Sequence, residues 1–157
     1  MSVAPADEAR AVRSGEELDL AAVDAWLKGA LPALQGTPTV TQYPGGASNW
    51  TYRLQYANDD LILRRPPAGT KAKSAHDMGR EYRIQQLLKP VFPLVPEMRA
   101  LCTDPAVIGT DFYVMQRLAG VIPRKDLPRV VESLRRLFAE SDAFMPEGSG
   151  APLKEAM

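Results

Sequence analysis

The stretch Trp50-Thr51-Tyr52-Arg53-Leu54-Gln55-Tyr56-Ala57-Asn58-Asp59-Asp60-Leu61-Ile62-Leu63-Arg64-Arg65-Pro66-Pro67 decides how the rest of the chain is read. Its first part alternates aromatic or apolar residues with polar ones, the pattern of a half-buried strand, and Ala57 to Asp60 is a polar turn. The apolar run Leu61-Ile62-Leu63 then reads as a second strand, which Pro66-Pro67 ends. Just upstream, Thr39 to Tyr43 is rich in β-formers and stops at Pro44-Gly45-Gly46. Three strands joined by short turns form an antiparallel meander.

Working outward, Leu20, Val23, Trp26 and Leu27 fall at helical spacing, with Asp19 as N-cap and an end near Pro32. A second, longer helix carries Met78, Tyr82, Ile84, Leu87 and Leu88, with Ser74 or Asp77 as cap and Pro90 as terminator. Beyond the proline-punctuated segment Val91 to Met98 come a strand around Arg99 to Cys102, a turn at Asp104-Pro105 and the apolar strand Phe112 to Met115. The expected class is α+β: an antiparallel sheet of about five strands, one long packed helix and an N-terminal helix.

Composition narrows the function. The chain has 157 residues, 45% hydrophobic and 24% charged, with nineteen basic residues against nineteen acidic ones. A formal net charge of zero supplies no global field for nucleic acid or an anionic membrane. One cysteine, Cys102, and one histidine, His76, exclude a disulfide framework and a multi-thiolate zinc site. Cys102 reads as a small buried residue rather than a reactive thiol. No run of about 18 apolar residues offers a membrane span, and the acidic start around Asp7, Glu8, Glu16 and Glu17 is unlike a secretory signal, so a reducing, cytoplasmic setting is expected.

The glycine-containing turn Tyr43-Pro44-Gly45-Gly46-Ala47-Ser48-Asn49-Trp50-Thr51 lies between two strands. Glycines there let backbone N–H groups approach phosphate oxygens, with Ser48, Asn49 and Thr51 as further donors; a plain hairpin turn is the alternative. Arg64 puts a fixed cation at the end of the next strand, and Glu81, in the middle of the following helix, could orient it by ion pairing, as a strand lysine and a helix glutamate do in kinase nucleotide sites. The other reading makes Arg64, Arg65, Arg80 and Arg83 a solvated basic surface. With Lys71, Lys73 and Tyr82 they could also be taken for an RNA patch, against which zero net charge and sparse aromatics argue.

The ordered set Gly-Gly-Ala-Ser-Asn, Leu-Ile-Leu-Arg-Arg-Pro-Pro, Gly-Thr-Lys-Ala-Lys-Ser-Ala-His-Asp-Met-Gly-Arg-Glu-Tyr and Phe-Tyr-Val-Met-Gln-Arg-Leu-Ala-Gly resembles the aminoglycoside phosphotransferase-like family, a kinase-fold group that includes choline kinases. Within it, the sequence is most similar to proteins related to the N-terminal kinase-like region of certain acyl-CoA dehydrogenases. The likeness runs from about Val12 to Pro128 and implies the small, nucleotide-binding lobe of a protein-kinase-like fold. It implies that Gly45, Gly46, Ala47, Ser48 and Asn49 cover the phosphates of ATP, that Arg64 contacts them and that Glu81 partners Arg64. It also implies that Met115 lies near the adenine, where it is equally readable as core, and that backbone groups of Gln116 to Leu118 bind the adenine edge. The implied reaction is transfer of the γ-phosphoryl group of ATP, with Mg2+, to a small-molecule hydroxyl.

The same resemblance shows what is missing. The family's second lobe carries a His-Gly-Asp-containing catalytic loop with a downstream Asn and a later Asp for magnesium, and no such motif occurs here; His76 reads as a surface or capping residue. Residues 1–17 are expected as a flexible N-terminus, 18–128 as the nucleotide-binding lobe, and 129–157 as a helix with a frayed tail, the catalytic lobe being absent. The chain is therefore expected to bind nucleotide, to be inactive by itself, and to await a missing lobe or partner chain. A non-catalytic interaction module, favoured by exposed apolar surface at Met115, Leu118 and Val121, and a truncated gene product are the alternatives.

Overall fold

Alternating and β-branched runs become strands where the sequence places them, and the computed structural model of the protein describes residues 9–44, 49–67 and 77–120. All of these belong to one of the two compact units into which the chain divides, Ala6–Gly120. Strands β1 (Thr39–Gln42), β2 (Trp50–Gln55), β3 (Asp60–Arg65), β4 (Met98–Cys102) and β5 (Phe112–Gln116) form one sheet in the order β1-β2-β3-β5-β4. Every neighbouring pair is antiparallel. The fold is the α+β small lobe expected, with β1 to β3 as the meander and β5 inserted between β3 and β4.

Helix α1 (Leu20–Ala30) starts where the Asp19 carboxylate accepts the Ala22 N–H and stops just before Pro32, whose ring disfavours helical geometry in the residue preceding it. Helix α2 (Met78–Leu88) is capped by Asp77, which accepts from the Arg80 N–H. The expected turn at Asp104-Pro105 is instead a short helix, α3 (Pro105–Ile108). Its own signals explain the difference: Asp104 caps it, Pro105 fits the first helical position, and Gly109 closes it at φ 77°.

The pleat divides the sheet into two unlike faces. On one, Leu54, Leu61, Leu63, Phe112 and Val114 are fully buried against Val23 and Leu27 of α1. Trp26 stands edge-on to Phe112, their ring centroids 5.2 Å apart. On the other lie Arg53, Ile62, Arg64, Tyr113 and Met115, register-paired as Arg53↔Ile62, Arg64↔Tyr113 and Ile62↔Met115. Cys102 is buried with the first group, and burial raises its thiol pKa, so it is a core residue.

Two expectations meet a different arrangement. Residues 10–17, expected as part of a flexible lead, are tied to the sheet: Arg10 pairs its backbone with Gln42, and buried Gln42 bonds the Glu16 carboxylate and the Arg13 N–H. The Tyr52 hydroxyl also donates to the Glu16 carbonyl. In α2 the apolar stripe is not the packed face. Met78 and Gly79 are buried at its start, but Ile84, Leu87 and Leu88 are exposed, as are Val91, Phe92 and Leu94 beyond it. Apolarity registers a demand for burial, and these side chains remain exposed to differing degrees, from Leu88 at 38% to Val91 at 78%.

Lys71, Lys73, Ser74, His76, Val121 and the helix and tail expected over 129–157 lie outside the described residues. Among the described residues no helix is long and apolar enough to cross a membrane.

Candidate functional site

Register brings Arg64 into the middle of the second face. It stands opposite Thr51 on β2 and Tyr113 on β5, and Glu81 reaches it from the first turn of α2. The Arg64 Nη1 lies 3.4 Å from Glu81 Oε2, so the pair named from sequence is assembled. Its adjacent neighbour Arg65 points the other way: it stacks on Trp50 and Tyr52 and donates to the Glu16 and Glu17 carbonyls. The two arginines therefore do not form one solvated basic surface.

Glu81 is held at both oxygens. Oε1 accepts from Asn49 Nδ2 at 2.9 Å, and Oε2 accepts from the Tyr113 hydroxyl at 3.0 Å. Asn49 is buried, so the last residue of the expected glycine loop has its amide nitrogen turned toward the helix carboxylate. Gly45, Gly46, Ala47 and Ser48 lie outside the described residues. Among the described residues, the polar contacts of Arg64 use Nη1, to Glu81 and to the Tyr113 hydroxyl at 3.1 Å, and its guanidinium also lies over the Tyr113 ring, 5.9 Å from the centroid. Its Nε is buried with no hydrogen-bond partner among the described residues. Among the described residues the guanidinium thus has one N–H group that is hydrogen-bonded and one that is buried and unsatisfied.

Beside Arg64, Ile62 and Met115 face each other across β3 and β5 and make an apolar patch on the same face. The hinge after β5 is more committed than the sequence suggests. The Gln116 N–H donates to the Glu97 carbonyl at 2.8 Å and the Arg117 N–H to the Asp60 carbonyl at 3.0 Å. Of the Gln116 to Leu118 amides, the Leu118 N–H is the one with no backbone acceptor among the described residues. Leu118 itself is exposed.

A second charged group borders the hinge. Asp60 accepts two bonds from Arg53, both at 2.8 Å, and one from Arg117, whose Nε also donates to the Tyr43 hydroxyl. The hydrogen bonds from Arg53, followed by its charge and that of Arg117, hold the Asp60 carboxyl below its ordinary range. Burial pushes the Tyr113 hydroxyl up to about 12, so it stays protonated and able to donate at any physiological pH. Tyr113, Gln85 and this hinge group are not among the residues that the sequence pattern singles out. A hydroxyl inside the apolar run Phe112-Tyr113-Val114-Met115 was the available signal for Tyr113.

A five-stranded antiparallel sheet whose third strand ends in a cation paired to the following helix defines the small lobe of a protein-kinase-like phosphotransferase. The comparisons narrow that class. Residues 39–155 match the phosphotransferase enzyme family, and the chain belongs to that family. It is 39% identical over 125 residues to acyl-CoA dehydrogenase family member 11 of Gallus gallus, covering 76% of this chain and 16% of that protein. It is 38% identical over 114 residues to acyl-CoA dehydrogenase family member 10 of Mus musculus, covering 72% of this chain and 11% of that protein. The chain thus spans under a fifth of these curated relatives. A solved structure from Ralstonia eutropha, described as an aminoglycoside phosphotransferase, superimposes with a TM-score of 0.58 at 30% identity, over 69% of this chain and 30% of that one.

Proposed function

We propose that this chain grips the phosphates of ATP for a kinase-type phosphotransferase, with Arg64 as the phosphate-binding cation and Glu81 as its anchor. The observation that carries this reading is the divided use of Arg64: Nη1 is held by Glu81 and Tyr113, while the buried Nε has no acceptor among the described residues. A cation fixed along one edge presents the other in a set direction, which is how a charge-assisted bond gains geometric specificity. Asn49 supports the same reading, because the residue that follows Gly45 to Ser48 is bonded to the carboxylate that holds Arg64.

The adenine would lie on Ile62 and Met115, with the Leu118 N–H as donor at its edge. In phosphoryl transfer magnesium neutralises charge on the phosphates. The described residues do not gather a ligand set for it: no group of three or more His, Cys, Asp or Glu comes together, and both Glu81 oxygens are engaged. In this reading the metal arrives with the nucleotide, and residues 1–157 by themselves bind ATP without transferring its phosphate. The acceptor, a small-molecule hydroxyl, belongs to the chemistry of the family's second lobe. Nucleic acid and membrane are not partners in this reading, and a cytoplasmic setting suits an ATP-dependent protein.

Calorimetric titration with magnesium-ATP tests the assignment. Wild type should bind, and Arg64→Ala should bind about tenfold or more weakly, the worth of one charge-assisted contact. Equal binding by the two would sink the role of Arg64. A second reading, a non-catalytic interaction module, is favoured by the exposed Ile84, Leu87, Leu88, Val91, Phe92 and Leu94. It predicts a folded wild-type chain that binds no nucleotide.

A further inference from the structure

We propose that the Tyr113 hydroxyl is the positioning group of this site, a wedge that sets the separation of Arg64 and Glu81. The proposal rests on the reading of Arg64 as the phosphate cation. A phenol has one proton to donate and two lone pairs with which to accept, and Tyr113 uses all three. It donates to Glu81 Oε2 at 3.0 Å and accepts from Arg64 Nη1 at 3.1 Å and Gln85 Nε2 at 3.4 Å. With every capacity engaged and the residue fully buried, the hydroxyl has one orientation.

The direct contact between the charges bears this out. Charge-assisted N–H to carboxylate bonds usually close to about 2.7–2.9 Å. Arg64 and Glu81 stand at 3.4 Å, while the tyrosine makes a shorter bond to each. The hydroxyl therefore bridges the pair and keeps it from collapsing into a tight ion pair. Without it the guanidinium can follow its attraction to Glu81, and the edge that carries Nε turns from the direction it now has.

The ring separates this role from simple packing. Tyr113 lies within the sheet and meets Tyr82 edge-on, with centroids 6.4 Å apart. Tyr113→Phe keeps that volume and removes one oxygen. Magnesium-ATP affinity should fall about five- to tenfold, the worth of about one ordinary hydrogen bond, while adenosine, which has no phosphate, should bind as before. In an Arg64→Ala background the same change should have no further effect on ATP binding. The Arg64 Nε–Hε resonance, assigned by its absence in Arg64→Ala, should move in nucleotide-free Tyr113→Phe.

The outcomes separate the two readings. If wild type binds no magnesium-ATP, the function above fails, and the nucleotide-free Arg64 resonance still decides whether Tyr113 positions it. If wild type binds, and Tyr113→Phe binds equally with an unmoved Arg64 signal, the positioning role is overturned. Equal losses for ATP and adenosine overturn it too, because they would report a general structural defect. A wild-type measurement needs no variant: the Tyr113 hydroxyl proton should exchange slowly with water, and rapid exchange would contradict a hydroxyl locked on both sides.

Discussion

The two faces of the sheet are made by the same strands and follow opposite rules. Toward α1, Leu54, Leu61, Leu63, Phe112 and Val114 are sealed from water and bonded to nothing polar through their side chains. Toward α2, Arg64, Tyr113, Glu81 and Asn49 are joined in hydrogen bonds, and one buried nitrogen of Arg64 lacks a partner among the described residues. The first face stores stability, and the second keeps an unmet polar demand. Arg64 and Arg65 state the difference at the level of single residues, since one step along β3 sends the first to the Glu81 side and the second to the Tyr52 side.

Substitutions on each side can break the contrast. The largest effect is expected at Phe112→Ala, which should lower unfolding free energy by about 3–5 kcal/mol through a cavity opposite Trp26, read from denaturant midpoints. Nucleotide affinity of the molecules that remain folded should not change. Next comes Arg64→Ala, expected to lose about 1.5–3 kcal/mol of magnesium-ATP binding while shifting unfolding far less than Phe112→Ala does. If the two variants unfold alike, the faces are not separable in this way. Arg65→Ala should reverse the pattern, with about 1–2 kcal/mol less stability from lost ring stacking and carbonyl contacts and unaltered ATP binding.

The smallest effect sharpens the contrast through pH. Asp60 titrates below its unfolded value of about 3.9 because Arg53, and behind it Arg117, favour the carboxylate. A lowered folded pKa means stability that is present above the unfolded value and is lost as pH falls through the folded one. Acid unfolding of wild type should therefore steepen below about pH 4, and Asp60→Asn should flatten that limb. The same loss of slope in an Arg53→Ala variant would tie the effect to the pair; an unchanged slope in Asp60→Asn would remove Asp60 as its source.

Much of this was legible in the sequence. Alternation in Trp50 to Tyr56 and the turn chemistry of Ala57 to Asp60 placed β2 and β3, because strand faces and turns are local properties. Arg64 and Glu81 are named together because a strand cation and a helix carboxylate pair in kinase nucleotide sites, which the resemblance implies here too. Helix α2 departs in part from its apolar pattern because burial depends on what lies opposite: Met78 and Gly79 at its start are buried, whereas Ile84, Leu87 and Leu88 are exposed. Tyr113 escaped because its importance is a register effect. Nothing near it in the chain announces that β5 will sit against β3, skipping β4, and set its hydroxyl across from Arg64. The short helix at Pro105 was overlooked for a different reason, since four residues look like a turn until the cap at each end is considered.

The pairing of Arg10 with Gln42 has a consequence for how the protein keeps to itself. Strand β1 is at one border of the sheet, and borders recruit strangers: a swapped dimer or a fibril grows by laying a new strand along open N–H and C=O groups. Arg10 occupies both of these groups on Gln42, each at 2.7 Å. β1 is only four residues long, so one filled rung at its end leaves an incoming strand little length to zip onto. The lead-in segment thus works as a hem, finishing the border of the sheet from within the same chain.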